Sequence, residues 1–199
     1  MSGTRHAVLT RRVRLLVAAT ITYNIVEAVV AIAAGSAASS TALIGFGLDS
    51  VIEVASAAAV AWQFSGQDPE ARERAALRVI AFSFFALAAY VTVDAVRTLV
   101  TGEAAGHSTA GIVLAAVSLV VMPVLSAAQR RTGRELGSAS AVADSKQTLL
   151  CTYLSGVLLL GLALNALLGW YWADPLAALV IAAVAVREGR ETWRGDHCC

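Results

Sequence analysis

The stretch "GFGLDSVIEVAS", residues 45–56, sets Asp49 and Glu53 four residues apart in sequence that is otherwise apolar or small. On a helix this spacing puts both carboxylates on one face, one turn apart, with Ser56 continuing the stripe. Two ionised carboxylates within reach of each other repel unless a proton or a cation lies between them. Three chemistries satisfy that condition. They are a divalent metal held by the pair, a proton relay, and a polar knot in which one acid is protonated and bonded to a neighbouring helix.

A second stripe runs through "ADSKQTLLCTYLS", residues 143–155, where Asp144, Gln147, Cys151 and Ser155 recur at helical spacing. Carboxylate, amide oxygen and thiolate are all metal-ligand types, and Zn²⁺ accepts sulfur at about 2.3 Å and oxygen at about 2.0–2.2 Å, usually as a tetrahedron. Two ligands from each of two facing helices would close such a site. Cys151 taken alone equally suits a small buried side chain. Setting Asp49 on Gln147 and Glu53 on Cys151 uses an offset of 98 residues and superposes "SSTALIGFGLDSVIE" on "SASAVADSKQTLLC". Matching the two "DS" pairs instead sets Asp49 on Asp144 and Glu53 on Thr148, so the fourth ligand is either Gln147 or Asp144.

These groups need elements that hold them in hydrocarbon. With 58 % hydrophobic residues and 15 % charged among 199, and a mean hydropathy of +0.70, the chain reads as a single integral membrane domain. About twenty apolar residues carry a helix across roughly 30 Å of hydrocarbon, where every backbone group must be satisfied internally. Six such runs are expected, at 13–34, 41–64, 76–100, 109–128, 139–168 and 174–186. The fold class is therefore all-α and integral to the membrane, with six transmembrane helices. The division expected is an N-terminal segment 1–12, a membrane domain 13–190 and a short tail 191–199. Asn24, Glu27, Asp94, Asn165 and Lys146 also fall inside these runs. Polar and charged groups there are costly and mark pathways or partners. Asn24 and Glu27, three residues apart, and Asp94 are assigned to the surroundings of the metal or to a proton path.

Thirteen of the fifteen basic residues lie on one side of a six-crossing arrangement, which places both termini in the cytoplasm. "GWYWADP" supplies Trp170, Tyr171 and Trp172 to an aromatic belt at the other interface. The first run is too long, and too interrupted by Asn24 and Glu27, for a cleaved signal peptide, so it is kept as a helix. Three cysteines, two of them at the chain end, give no disulfide framework. No nucleotide-binding loop, dinucleotide fingerprint or nucleophile elbow occurs, which leaves ATP-driven and hydrolytic functions without support, and nothing points to nucleic acid.

From about Arg12 to Arg194 the sequence resembles the membrane domain of the cation diffusion facilitator family of divalent-metal transporters. The resemblance is carried by "NIVEAVVAIAAGSAASSTALIGFGLDSVIEVAS", "EARERAALRVIAF", "RRTGRELGSASAVADSKQTLLCTYLSGVLLLGL" and "GWYWADPLAALVIAAVAVREGRETWR". It implies a four-ligand midplane site, two ligands each from the second and fifth helices, and export of metal in exchange for protons. Position by position, Asp49 and Glu53 fill the first pair, and Gln147 and Cys151 fall where that family carries a His and an Asp. The set thus lacks imidazole, and Glu in place of Asp adds a methylene. The resemblance also implies a cytoplasmic dimerisation domain after the sixth helix, which this chain is expected to lack, so a homodimer would form through the membrane helices. The tail residues His197, Cys198 and Cys199 suit capture of a soft metal or a disordered end.

The expected function is proton-coupled export of a divalent transition metal by a secondary active transporter of a bacterial cytoplasmic membrane, not an enzyme. Zn²⁺ is the leading substrate, with Cd²⁺, Co²⁺, Fe²⁺ and Mn²⁺ as alternatives. Two rivals remain, a metal-binding membrane sensor or partner subunit that does not transport, and a membrane enzyme using the paired acids as general acid and base.

Overall fold

Helices account for nearly all of the computed structural model of this chain, which describes residues 3–65, 69–102 and 105–194. They are α1 (Gly3–Ala38), α2 (Thr41–Ser65), α3 (Pro69–Thr101), α4 (Thr109–Leu136), α5 (Ala139–Leu168) and α6 (Ala173–Arg194), and there is no strand among the described residues. All six expected runs are helical. Five helices, α1 to α5, contain stretches long and apolar enough to cross a membrane. In α6 the run is cut short by Arg187, Glu188, Arg190 and Glu191, yet Asp174, Ala178 and Ile181 are fully buried against the rest of the bundle.

Four helices extend well beyond their apolar runs, α3 by starting at Pro69 rather than 76. α1 begins at Gly3 rather than 13, and Leu9, Val13 and Val17, buried one turn apart, continue its packed face toward the N-terminus. α4 continues past 128 because Gln129, Thr132 and Gly133 pack inward. It stops at Gly137, whose φ of 71° is a left-handed cap, where the Gly137 and Ser138 N–H groups close on Arg134 O at 3.2 Å and Gly133 O at 3.0 Å. α6 runs on to Arg194 with Ala185, Gly189 and Thr192 buried.

Water-excluding lipid offers no hydrophobic drive between helices, so close packing and interhelical hydrogen bonds hold them together. Gly47 shows how close the approach is: a Cβ there would lie 2.7 Å from Ile32 Cγ1 and 3.1 Å from the Ile32 backbone nitrogen. Phe46, Leu43, Val91, Met122 and Leu158 fill the interior, while Val93, Val100, Val120, Val124, Leu160 and Leu167 face outward. An apolar exterior around a polar interior is the arrangement a hydrocarbon solvent selects.

The end of the bundle away from the arginines is tied by polar contacts. Ser40 caps α2, its Oγ accepting from Leu43 N–H at 3.1 Å and donating to Asp174 Oδ1 at 2.5 Å. Asp174 Oδ2 accepts from Ala42 N–H at 3.1 Å. A carboxylate from α6 thus sits on the N-terminus of α2, where the helix dipole favours negative charge. Thr41 and Thr98 hydroxyls meet at 3.0 Å, and Asn165 Nδ2 donates to Ala105 O at 2.8 Å. At the arginine-rich end, the Arg72 guanidinium lies 4.7 Å over the Trp62 ring and donates to Trp62 O at 3.2 Å.

A candidate metal centre

The stripes foreseen on α2 and α5 face each other. Asp49, Ser50, Glu53 and Ser56 on α2 are buried, as are Asp144, Gln147, Thr148, Cys151 and Ser155 on α5, and the two helices pack together. Thr148 Oγ1 donates to Glu53 Oε1 at 2.6 Å. Cys151 lies beside Glu27, its Sγ 3.8 Å from Glu27 Oε2, and near Glu53 and Asp49.

Glu27 is the point where four helices meet. From α1 its carboxylate accepts Ser50 Oγ of α2 at 2.8 Å, Ser118 Oγ of α4 and Cys151 Sγ of α5 at 3.8 Å. Tyr23 OH and Ser118 Oγ lie 2.8 Å apart and extend the network toward α1. Glu27 is only 1 % exposed, and Asp49 lies nearby. The sequence offered Glu27 as one polar residue among several at the edge of the site; the fold brings it to Cys151 itself.

Asp144 lies at the arginine-rich side of this cluster, and both its oxygens are engaged. Oδ1 accepts from Ser56 Oγ at 2.9 Å, and Oδ2 accepts from Gln129 Nε2 at 3.1 Å. The same Gln129 nitrogen donates to Thr20 Oγ1 at 3.0 Å. Asn24 donates to Thr20 O of its own helix at 3.0 Å.

Against these satisfied groups stand several buried atoms with no protein partner. They include Asp49 Oδ2, Glu53 Oε2, Asn24 Oδ1 and both amide atoms of Gln147. Buried polar atoms are nearly always hydrogen-bonded, so unpaired oxygens on Asp49, Glu53 and Gln147 leave lone pairs available to a ligand. Among the described residues no three His, Cys, Asp or Glu side chains are arranged to hold an ion. In this state hydroxyl donors hold Glu27, Glu53 and Asp144 on separate helices.

The remaining residues singled out from sequence fall elsewhere. Asp94 is half-buried and acts electrostatically on Asp174, toward the end of the bundle opposite the arginines. Asn165 anchors the backbone at Ala105 there as well. Lys146 lies near Glu188 of α6 and acts on its charge. Ser155 donates to the Cys151 carbonyl of its own helix at 2.6 Å. His197, Cys198 and Cys199 lie outside the described residues.

Sequence reasoning passed over Ser50, Ser118, Gln129 and Asp174, and met Thr148 only as the counterpart of Glu53 in one alignment. The hydroxyl residues are indistinguishable from the many other small residues of these helices. Asp174 had a signal, the "ADPL" motif at the start of α6.

Together these features define a polytopic α-helical membrane protein whose interior carries a cluster of acids, a thiol and hydroxyls in place of a purely apolar core. Residues 17–194 match the model of the cation efflux transmembrane domain, and the chain belongs to that family. It is accordingly a transporter of metal cations and not an enzyme. No curated protein matches the chain.

Proposed function

We propose that the chain exports a divalent transition metal, Zn²⁺ foremost, in exchange for protons, by alternating access around a site between α2 and α5. The observation that carries this reading is the set of unpaired, buried oxygens on Asp49, Glu53 and Gln147 beside the Cys151 sulfur. Asp49, Glu53 and Cys151 are the primary ligands and Gln147 is the fourth. Asp144, whose carboxylate is taken up by Ser56 and Gln129, is the weaker choice for that position. An O/O/O/S set with a thiolate takes Zn²⁺, Cd²⁺ or Co²⁺, and its carboxylates tolerate Fe²⁺ and Mn²⁺.

Coordination needs deprotonated carboxylates and thiol, so metal and protons compete for the same lone pairs. Glu27 is a proton carrier at the edge of the site. Its hydroxyl donors Ser50 and Ser118 hold it beside Cys151, and a proton leaving the thiol has an acceptor within reach. Asn24, one turn away on α1, supports that path, whereas Asp94 belongs to the far end of the bundle and to release. Thr148 holds Glu53 Oε1 and leaves Oε2 open to the metal, which fits a carrier whose ligand is positioned by a hydroxyl from the facing helix. With the arginine-rich end on the cytoplasmic side of a bacterial inner membrane, metal enters past Asp144 and leaves past Asp174. Dimerisation would use the lipid-facing helix surfaces.

The test is uptake into proteoliposomes under an imposed pH gradient, with Zn²⁺, Cd²⁺, Co²⁺, Fe²⁺ and Mn²⁺ in turn. Gradient-dependent flux supports the antiporter. Metal binding with no flux for any ion would favour a metal-binding subunit that does not transport.

A further inference from the structure

Between α1 and α4, at the arginine-rich end of the bundle, lies an open groove of about 640 Å³ lined by Arg12, Leu15, Leu16, Ala128, Arg131 and Thr132. Its volume is that of a small-molecule site. Its lining includes the small residues Ala128 and Thr132, and Thr132 spends its hydroxyl on the Ala128 carbonyl at 2.9 Å. Leu15 is 61 % exposed along one wall. Arg12 and Arg131 stand at the rim, both exposed. Arg131 shares its Nε with Glu135 at 3.3 Å, and Arg11, Arg14, Arg130 and Arg134 keep this end strongly positive.

We infer that this groove binds an anionic phospholipid, with the phosphate between Arg12 and Arg131 and an acyl chain lying along Leu15 and Leu16. Charge complementarity selects the occupant: a cationic rim above an apolar floor, opening sideways toward lipid, fits a negative headgroup joined to a hydrocarbon tail. The dimensions agree. Up the same α1/α4 seam, Tyr23, Val26, Glu27, Val30, Val113 and Val117 line a second groove of about 440 Å³. From Arg12 to Tyr23 is roughly 16 Å at the helical rise per residue, about half the thickness of the hydrocarbon. A lipid with its phosphate at Arg12 therefore reaches the start of the upper groove with its acyl chain. Leu16 also walls the small space beside Gln129 and Asp144, so one side chain separates the bound lipid from the polar cluster.

The experiment is a lipid titration of the full chain in detergent, read by native mass spectrometry, with phosphatidylglycerol, cardiolipin and phosphatidylcholine. The two anionic lipids are expected to bind at a fixed stoichiometry and phosphatidylcholine to bind far more weakly. Arg12→Gln with Arg131→Gln should weaken anionic binding about thirty-fold, the factor two near-surface basic residues supply. Ala128→Phe should weaken it by filling the floor with both charges intact, and Arg74→Gln with Arg78→Gln on α3 should leave it within about twofold. The inference is overturned by equal binding of phosphatidylcholine, by an unaffected α1/α4 double variant, or by an equal loss in the α3 pair, which would mean bulk surface charge. It is also overturned if inorganic phosphate binds at the groove and neither anionic lipid does. Metal flux enters none of these readouts.

Discussion

Thr148 donates its hydroxyl to Glu53 across the seam between α2 and α5, at 2.6 Å. The bond occupies one oxygen of a proposed ligand and leaves the other, Oε2, without a partner. Thr148→Val removes the donor at nearly constant volume and should lower unfolding stability in detergent by about 1–2 kcal/mol. Thr148→Ser should restore most of that loss. Because Oε2 stays free in both, the valine variant should bind Zn²⁺ about as tightly as the native chain, measured by calorimetry.

Glu27 separates a working group from a scaffold. It accepts from Ser50, Ser118 and Cys151 on three other helices. Glu27→Gln keeps the shape and removes the charge, and the proposal predicts at least a tenfold loss of Zn²⁺ flux, on the order of a charged hydrogen-bonding partner's contribution. Ser118→Ala should cost less, since Ser50 and Cys151 still hold the carboxylate. Unchanged flux in Glu27→Gln, with only a lower melting temperature, would make the residue a structural anchor.

At the opposite end of α2, Asp174 binds Ser40 Oγ and Ala42 N–H. Asp174→Asn loses the charge on a helix N-terminus and one of two acceptors, and should destabilise the protein by about 1–3 kcal/mol. Ala42 is seven residues from Asp49, about 10 Å along the helix, so equilibrium Zn²⁺ affinity should stay within about twofold. Melting curves and binding isotherms on the same sample check both halves.

Zn²⁺ affinity should fall as pH is lowered. Protonation of Asp49, Glu53 and Cys151 removes ligands, and metal binding must release protons. Calorimetry in buffers of different ionisation enthalpy counts those protons, and the count should drop in Cys151→Ser. A pH-independent affinity would remove the basis for exchange with protons.

The membrane helices were legible because lipid imposes a simple rule, about twenty apolar residues for each crossing. Their extensions were not. Leu9, Gln129 and Thr192 pack helix against helix beyond the apolar runs, where hydropathy is silent. The pairing of Asp49 with Glu53 and of Gln147 with Cys151 could be read because helical spacing alone puts each pair on one face. Glu27 could not be placed beside Cys151, since that contact joins positions 124 apart in the chain and depends on how α1 seats against α2, α4 and α5. Asp94 was grouped with the centre on residue type alone; counting seven residues back from the end of α3 at Thr101 would have put it near the far end.

The most direct test is Zn²⁺ flux into proteoliposomes under a pH gradient, comparing the native chain with Asp49→Ala and Cys151→Ala. The account predicts gradient-dependent flux in the native protein and its loss in both variants, each of which still folds and inserts. Full flux in either variant would contradict the assignment of the unpaired oxygen of Asp49 and the sulfur of Cys151 to the travelling ion.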